Sequence, residues 1–370
     1  MQKMKLFERR LPDITLLTVV MLLLIIGLVM VYSSSHVWAE YKYDDPFFFV
    51  KRQLLFAGIG LLFMYFIYLI PYHIWFKYVK VILLLCFILL FIVLIPGIGI
   101  VRGGAQSWIG VGAFSIQPSE FMKLGLILFL AYYLTKHHRN ITSFRQGFLW
   151  PILLVFFVFG LIMLQPDFGT GVVLVITCVL MLFISGTKFK YFIYLMFIGL
   201  IGFTLLIISA PYRIKRITAY LNPWEDPLGD GFQIIQSLYA IGPGKLMGLG
   251  FGNSLQKYFY LPEPQTDFIF AIIGEEFGFI GGTFVIVLFF ILCWRGVLIA
   301  LNVKDSFGRY VAFGIITMIT VQVMINISVV IGLIPVTGIT LPFLSYGGSS
   351  LTLTLCSIGI LLNISSYTKH

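Results

Sequence analysis

Apolar runs of membrane-spanning length recur along this chain from about residue 14 to residue 364, and that excludes most folds. A hydrocarbon core about 30 Å thick takes about 20 apolar residues of helix per crossing. In lipid every backbone polar group must be paired within the structure that crosses, so these runs are read as helices; the two-residue alternation of a β-barrel is absent. Composition agrees: 59% of the 370 residues are hydrophobic and 11% are charged, where a soluble domain carries roughly a quarter charged. The expected fold class is an all-α polytopic membrane protein of about ten transmembrane helices. Their cores are placed near 14–33, 53–70, 78–96, 118–135, 148–165, 170–186, 191–210, 268–293, 310–332 and 347–364, in one domain spanning 1–370. A tight turn at Gln165-Pro166-Asp167 separates the fifth from the sixth. The first run ends at Tyr32-Ser33-Ser34-Ser35 and is read as an uncleaved first helix rather than a signal peptide.

The net charge of +10 does not point to nucleic acid, because the charges fall in short clusters between apolar runs and assemble no basic face. They follow the positive-inside rule instead. The loops holding Lys3, Arg9, Lys77, Lys136, Arg145, Lys188, Arg295 and Lys304 form the richer set, which puts both termini on the cytoplasmic side. One connection differs from the rest. Residues 211–267, between helices 7 and 8, form a long extracellular loop with many prolines and glycines, and long structured loops tend to carry function. Its stretch 232–239 is amphipathic enough to lie on the outer leaflet; the plainer alternative is packing against the bundle. The four cysteines sit singly in apolar runs and read as packing residues. The histidines form no metal cage, and no Walker, Rossmann or zinc motif is present, which argues against ATP-driven chemistry.

Ionisable side chains inside apolar runs are costly and usually functional. Glu120 and Lys123 lie three apart on a helix opened by Pro118, so they share a face. They form either an internal ion pair or a polar cavity in which Lys123 meets an anionic group. Asp267 precedes the run Phe268-Ile269-Phe270; it is either a helix N-cap or a carboxylate displayed at the outer surface. Glu275 and Glu276 point about 100° apart around a helix. One is expected to be a structural, hydrogen-bonded group, and Glu276 stays among the substrate-binding candidates. Arg213, Lys215 and Arg216 open the long loop, suited either to lipid headgroups or to a diphosphate. Arg102 lies in an external glycine-rich segment, and Asp167 is a further outward carboxylate.

Several ordered blocks carry a resemblance. They are Gln117-Pro118-Ser119-Glu120-Phe121-Met122-Lys123, Gln165-Pro166-Asp167-Phe168-Gly169-Thr170, Asn222-Pro223-Trp224 through Ser237, Tyr260-Leu261-Pro262-Glu263 into Thr266-Asp267-Phe268, and Gly332-Leu333-Ile334-Pro335-Val336-Thr337-Gly338 ending in Ser345-Tyr346-Gly347-Gly348-Ser349. Together they resemble the SEDS family (shape, elongation, division and sporulation) over nearly the full chain, with the division and sporulation branch fitting better than the rod-elongation branch. The resemblance implies a bacterial plasma-membrane peptidoglycan glycosyltransferase with ten helices. Such an enzyme polymerises lipid II, an undecaprenyl-diphosphate-linked disaccharide-pentapeptide, on the outer face. It also implies a class B penicillin-binding protein as transpeptidase partner and Asp267 as the essential carboxylate. An α-linked donor and a β-linked product require inversion, hence a base for the acceptor hydroxyl, assigned to Asp267, and cations for the leaving diphosphate. Lys123, Arg213 and Arg216 are the cation candidates. No organic cofactor is expected; a divalent cation, Mg or Mn, would be compatible with the diphosphate. The competing functions are a lipid II flippase, to which Glu120 and Lys123 would supply a charged cavity, and a non-catalytic scaffold for the penicillin-binding protein.

Overall fold

A computed structural model describes residues 10–102, 105–111, 114–209, 211–229 and 231–368. Each expected transmembrane core falls on a helix: α1 (Ile14–Tyr43), α2 (Phe48–Leu69), α3 (His73–Leu94), α4 (Pro118–Lys136), α5 (Trp150–Met163), α6 (Phe168–Ile184), α7 (Phe189–Ile208), then α10 (Ile269–Asn302), α11 (Ser306–Val330) and α12 (Gly348–Ser365). Among the described residues seven helices are long and apolar enough to cross a membrane, one of them being α5 with the π-helical turn Phe144–Leu149 before it. Two more, α6 and α7, are shorter apolar helices. The remaining one, α4, carries Glu120 and Lys123 in its first two turns.

Two expected boundaries move. The first helix runs eight residues beyond the serine cluster, to Tyr43, because Ser34 and Ser35 return their hydroxyls to the carbonyls of Met30 and Val31 and so stay within the helix. The external segment around Arg102, read as a glycine-rich connection, belongs to a small antiparallel meander, β1 (Ile100–Arg102), β2 (Ala105–Val111) and β3 (Phe114–Ile116), between α3 and α4. The turn at 165–167 is where expected: α5 stops at Met163 and Asp167 caps α6, accepting a bond from the Thr170 amide.

The 211–267 segment is not an open loop. It contains α8 (Pro211–Leu221), a 3-10 turn at Pro223–Glu225 and α9 (Phe232–Gly244). Of the two readings for 232–239, packing on the bundle holds. Ile234, Ile235, Ser237 and Ala240 are buried, and the Ser237 hydroxyl donates to the carbonyl of Val330 at the end of α11. Gly244 lies so close to the Gly274 carbonyl that a side chain there has no room.

After α9 the chain runs alongside a break in α10. Gly278 has φ +64°, outside the helical region, and the amides on either side of it are matched to the neighbouring segment. Leu249 N–H donates to Glu275 C=O and Gly250 N–H to Glu276 C=O, while Phe279 and Ile280 N–H donate to Lys245 and Leu246 C=O. Irregular backbone within a membrane-spanning helix is tolerated where protein satisfies it, and this segment does so.

The connection from α11 to α12 is likewise drawn into the bundle. Ile339, Leu341, Phe343 and Leu344 are buried, and the Phe343 carbonyl presses on Gly27 of α1. Gln53 of α2 donates to Ser345 C=O at 3.0 Å and accepts from Gly347 N–H at 3.2 Å. At the opposite end Arg295 of α10 binds Asp13, the N-cap of α1, at 2.5 and 2.9 Å. The periphery is looser: α7 leaves Met196, Phe197, Ile198, Leu200 and Ile201 exposed, as expected of a helix facing lipid.

Candidate active site

The candidate residues collect at the end of the bundle that carries the 211–267 segment. Pro118 opens α4, its fixed φ and missing N–H suiting the first helical turn, and sets Glu120 and Lys123 on one face. They form an ion pair of 2.7 Å with side chains 9% and 2% exposed. Taking two charges out of water is costly, so the pair depends on its internal contact.

Asp167 joins this group from the α5–α6 turn. Its carboxylate caps α6 and also accepts from Gln117 Nε2 at 2.8 Å and Ser119 Oγ at 3.2 Å. The surrounding protein pushes the Asp167 carboxyl upward in pKa. Its bonds from Thr170 and Ser119 oppose this, and the nearby Glu120 carboxylate adds to it. Thus α4 and the α5–α6 turn are knitted by three polar side chains from two of the sequence blocks.

Asp267 stands one residue ahead of the α10 cap position. That position belongs to Phe268, which makes no side-chain cap bond, so of the two readings left open for Asp267 the N-cap is not the one seen. Asp267 is half-buried. Its backbone carbonyl accepts a 2.8 Å bond from Asn326 Nδ2 of α11, which also donates to Ile339 C=O at 2.7 Å. A Cβ built on Gly338 would lie 3.6 Å from Asp267 Oδ2. Two residues along from Asp167, Gly169 packs on the same strand of chain: its Cβ would lie 2.7 Å from the Thr337 carbonyl. The Thr337–Ile339 backbone is therefore a shared wall, with the Asp167 turn on one side and Asp267 on the other.

Glu275 and Glu276 face away from this wall, toward the segment that follows α9. Glu276 is fully buried, accepts from Ser33 Oγ of α1 at 2.6 and 2.7 Å, and pairs with Lys257 at 3.4 Å. Glu275 accepts from Ser254 Oγ at 2.5 Å and from Leu255 N–H at 2.8 Å. Both glutamates are spent on internal bonds. Arg102 lies in β1, and Arg213 and Arg216 lie in α8; their side chains are outside the described residues. Among the described residues no group of three His, Cys, Asp or Glu is gathered as metal ligands.

Sequence reasoning passed over Lys257, Ser33 and Asn326. Asn326 carried a usable signal, as one of two amides, with Gln322, in the apolar run 310–332. Lys257, in a polar stretch of the long loop, carried none.

The family model for cell cycle proteins of the FtsW/RodA/SpoVE type matches residues 13–370. Stage V sporulation protein E of Bacillus subtilis is 63% identical over 97% of this chain and 98% of its own length. A probable peptidoglycan glycosyltransferase FtsW of Geobacter sp. is 44% identical over 96% of each chain. Among solved structures, a chain from a peptidoglycan synthase complex that coordinates polymerization and crosslinking superposes with a TM-score of 0.77 at 31% identity, covering 96% of this chain and 97% of that one. The rod shape determining protein RodA of Thermus thermophilus gives 0.70 at 27% identity, covering 97% and 98%. With its helices, its ordered blocks and the family model all in register over nearly its whole length, the chain belongs to the FtsW/RodA/SpoVE family of cell cycle proteins.

Proposed function

We propose that this chain is an inverting peptidoglycan glycosyltransferase that polymerises lipid II on the outer face of a bacterial plasma membrane, with Asp267 as its base. The observation that carries the reading is the placement of Asp267. It is a half-buried carboxylate ahead of the α10 cap, held through its backbone by Asn326 and backed by Gly338, where no side chain crowds it. A base in that position takes the proton of the acceptor hydroxyl as that oxygen attacks the donor's anomeric carbon, and the diphosphate leaves from the opposite face.

Lys123 supplies a cation for the developing charge on the diphosphate, with Glu120 orienting it and Asp167 fixing the start of α4 through Gln117 and Ser119. Arg102, Arg213 and Arg216 are further candidates for the phosphates. A divalent ion, Mg or Mn, would have Asp267 as its protein carboxylate and phosphate oxygens and water for the rest of its shell, since Glu120 pairs with Lys123 and Asp167 accepts from Gln117, Ser119 and Thr170. Both termini lie in the cytoplasm on this reading, as the lysine and arginine distribution favours. A class B penicillin-binding protein supplies crosslinking, as the complex of polymerization and crosslinking named above suggests. The 63% identity to a sporulation protein favours spore cell-wall synthesis over septation.

Purified chain with its cognate transpeptidase, given lipid II, tests the reading. Glycan polymer from wild type and none from Asp267→Ala is the expected result. Polymer from both removes Asp267 as the base. Polymer from neither, with the complex intact, moves the function to lipid II flipping or to scaffolding.

A further inference from the structure

The Lys257–Glu276 pair closes a ring in the chain, and Asp267 sits near its midpoint. Asp267 is ten residues after Lys257 and nine before Glu276. One arm of the ring, from Asp267 to Glu276, is the opening of α10 and is rigid as a helix. The other arm, residues 258–266, is turns and bends without a regular element. Near Asp267 the arm is tied by the Tyr346 amide, which donates to the Gln265 carbonyl at 2.8 Å, and at its far end by Lys257; closing a loop at both ends removes much of its freedom.

The anchor is built with unusual care for a loop lysine. Lys257 is 1% exposed, its ammonium donates to Glu276 Oε1 and to the Gly252 carbonyl, and its backbone amide donates to Ser254 Oγ. Lysine is almost never fully buried unless paired. Glu276 in turn receives Ser33 of α1 on both oxygens, so the ring is pinned to the bundle as well as to itself.

We propose that Lys257 and Glu276 are positioning residues: their ion pair fixes the 258–266 arm and thereby the place of the Asp267 carboxylate, without touching substrate. The proposal rests on Asp267 being the base. It predicts a loss in turnover rather than in substrate affinity, because a misplacement of about 1 Å costs about a hundredfold in rate.

The test uses full-length chain in complex with its transpeptidase and compares Lys257→Met, Lys257→Arg and the neutral double variant Lys257→Met/Glu276→Gln. The double variant leaves no lone buried charge, which guards against simple misfolding. The expected result is kcat lowered about a hundredfold in Lys257→Met and in the double variant, KM for lipid II within about twofold, and kcat largely kept in Lys257→Arg. Amide hydrogen exchange across 258–266 reads the same device without any activity: the arm exchanges faster in both methionine variants and as slowly as wild type in Lys257→Arg. A double variant with wild-type exchange in that arm overturns the proposal, even if no polymerisation is detected for any form. So does a folded double variant with wild-type kcat. A chain inactive as wild type, whose arm still loosens in the methionine variants, sinks the polymerase reading and leaves the anchor standing.

Discussion

Asn326 spans two segments at once, its amide donating at 2.8 Å to the backbone carbonyl of Asp267 and at 2.7 Å to that of Ile339. Through one side chain, α11 fixes the approach to α10 and the wall opposite it. Asn326→Leu fills similar space but strands two carbonyls, each costing about 1–3 kcal/mol if left unpaired in protein. Thermal unfolding in detergent is expected to show that loss, and polymer yield per folded molecule is expected to fall as well, since Asp267 is released. Asn326→Asp should be no better, because a carboxylate has no donor for either carbonyl.

The Glu120–Lys123 pair separates a structural from a functional role. Lys123→Met leaves Glu120 buried without its partner, a loss of about 3–5 kcal/mol. The double variant Glu120→Gln/Lys123→Met removes both charges and is expected to recover most of the thermal stability. Polymerisation is expected to stay lost in both, since neither offers a cation to the diphosphate. Recovery of activity together with stability would reduce the pair to an internal ion pair.

Gly278 and Gly252 both have positive φ, at +64° and +79°, but only one is enclosed. A Cβ at Gly278 would meet Gly248 N, Leu246 O and Gly244 O at 2.5–2.7 Å, all backbone, whereas nothing lies within 4 Å of one at Gly252. Gly252→Ala is expected to cost about 1–2 kcal/mol, the price of the left-handed conformation alone. Gly278→Ala should cost clearly more and lower the yield of folded protein, as measured by size-exclusion profile and unfolding temperature.

The Asp13–Arg295 pair sits at the far end of the bundle from Asp267. Arg295 is 28% exposed at its side chain and Asp13 1%, so solvent screens part of the interaction. Arg295→Met is expected to lower stability by about 1–3 kcal/mol, below the full cost of a wholly buried pair. Activity per folded molecule should be unchanged. A large fall in turnover without a change in stability would show that this end of α10 is coupled to the site.

How much of this was legible depended on periodicity and context. The helices were, because lipid forces each apolar run to pair its own backbone, and the turn at Pro166 was visible as a break in such a run. Glu120 and Lys123 could be paired from spacing, since three residues apart on a helix is one face. The Lys257–Glu276 pair could not, because it joins a polar loop to a helix across a fold that no local pattern encodes. The same holds for the break at Gly278: glycine in an apolar helix is common, and only the neighbouring segment shows why this one is needed. For Asp267 the sequence left both a cap and a displayed carboxylate open, because Asp before an apolar run is the usual sign of a cap; here the helix starts a residue later, with Phe268 at the cap. The meander at 100–116 was missed because its strands are three to seven residues long, too short to set an alternating pattern apart from a loop.

The break in α10 leaves that helix dependent on the segment after α9 for four of its backbone bonds, two given and two received. The segment after α9 and the membrane helix are therefore one cooperative folding unit, and the amides of Leu249, Gly250, Phe279 and Ile280 should exchange with solvent together, at a rate set by opening of the whole unit rather than by fraying of a surface loop.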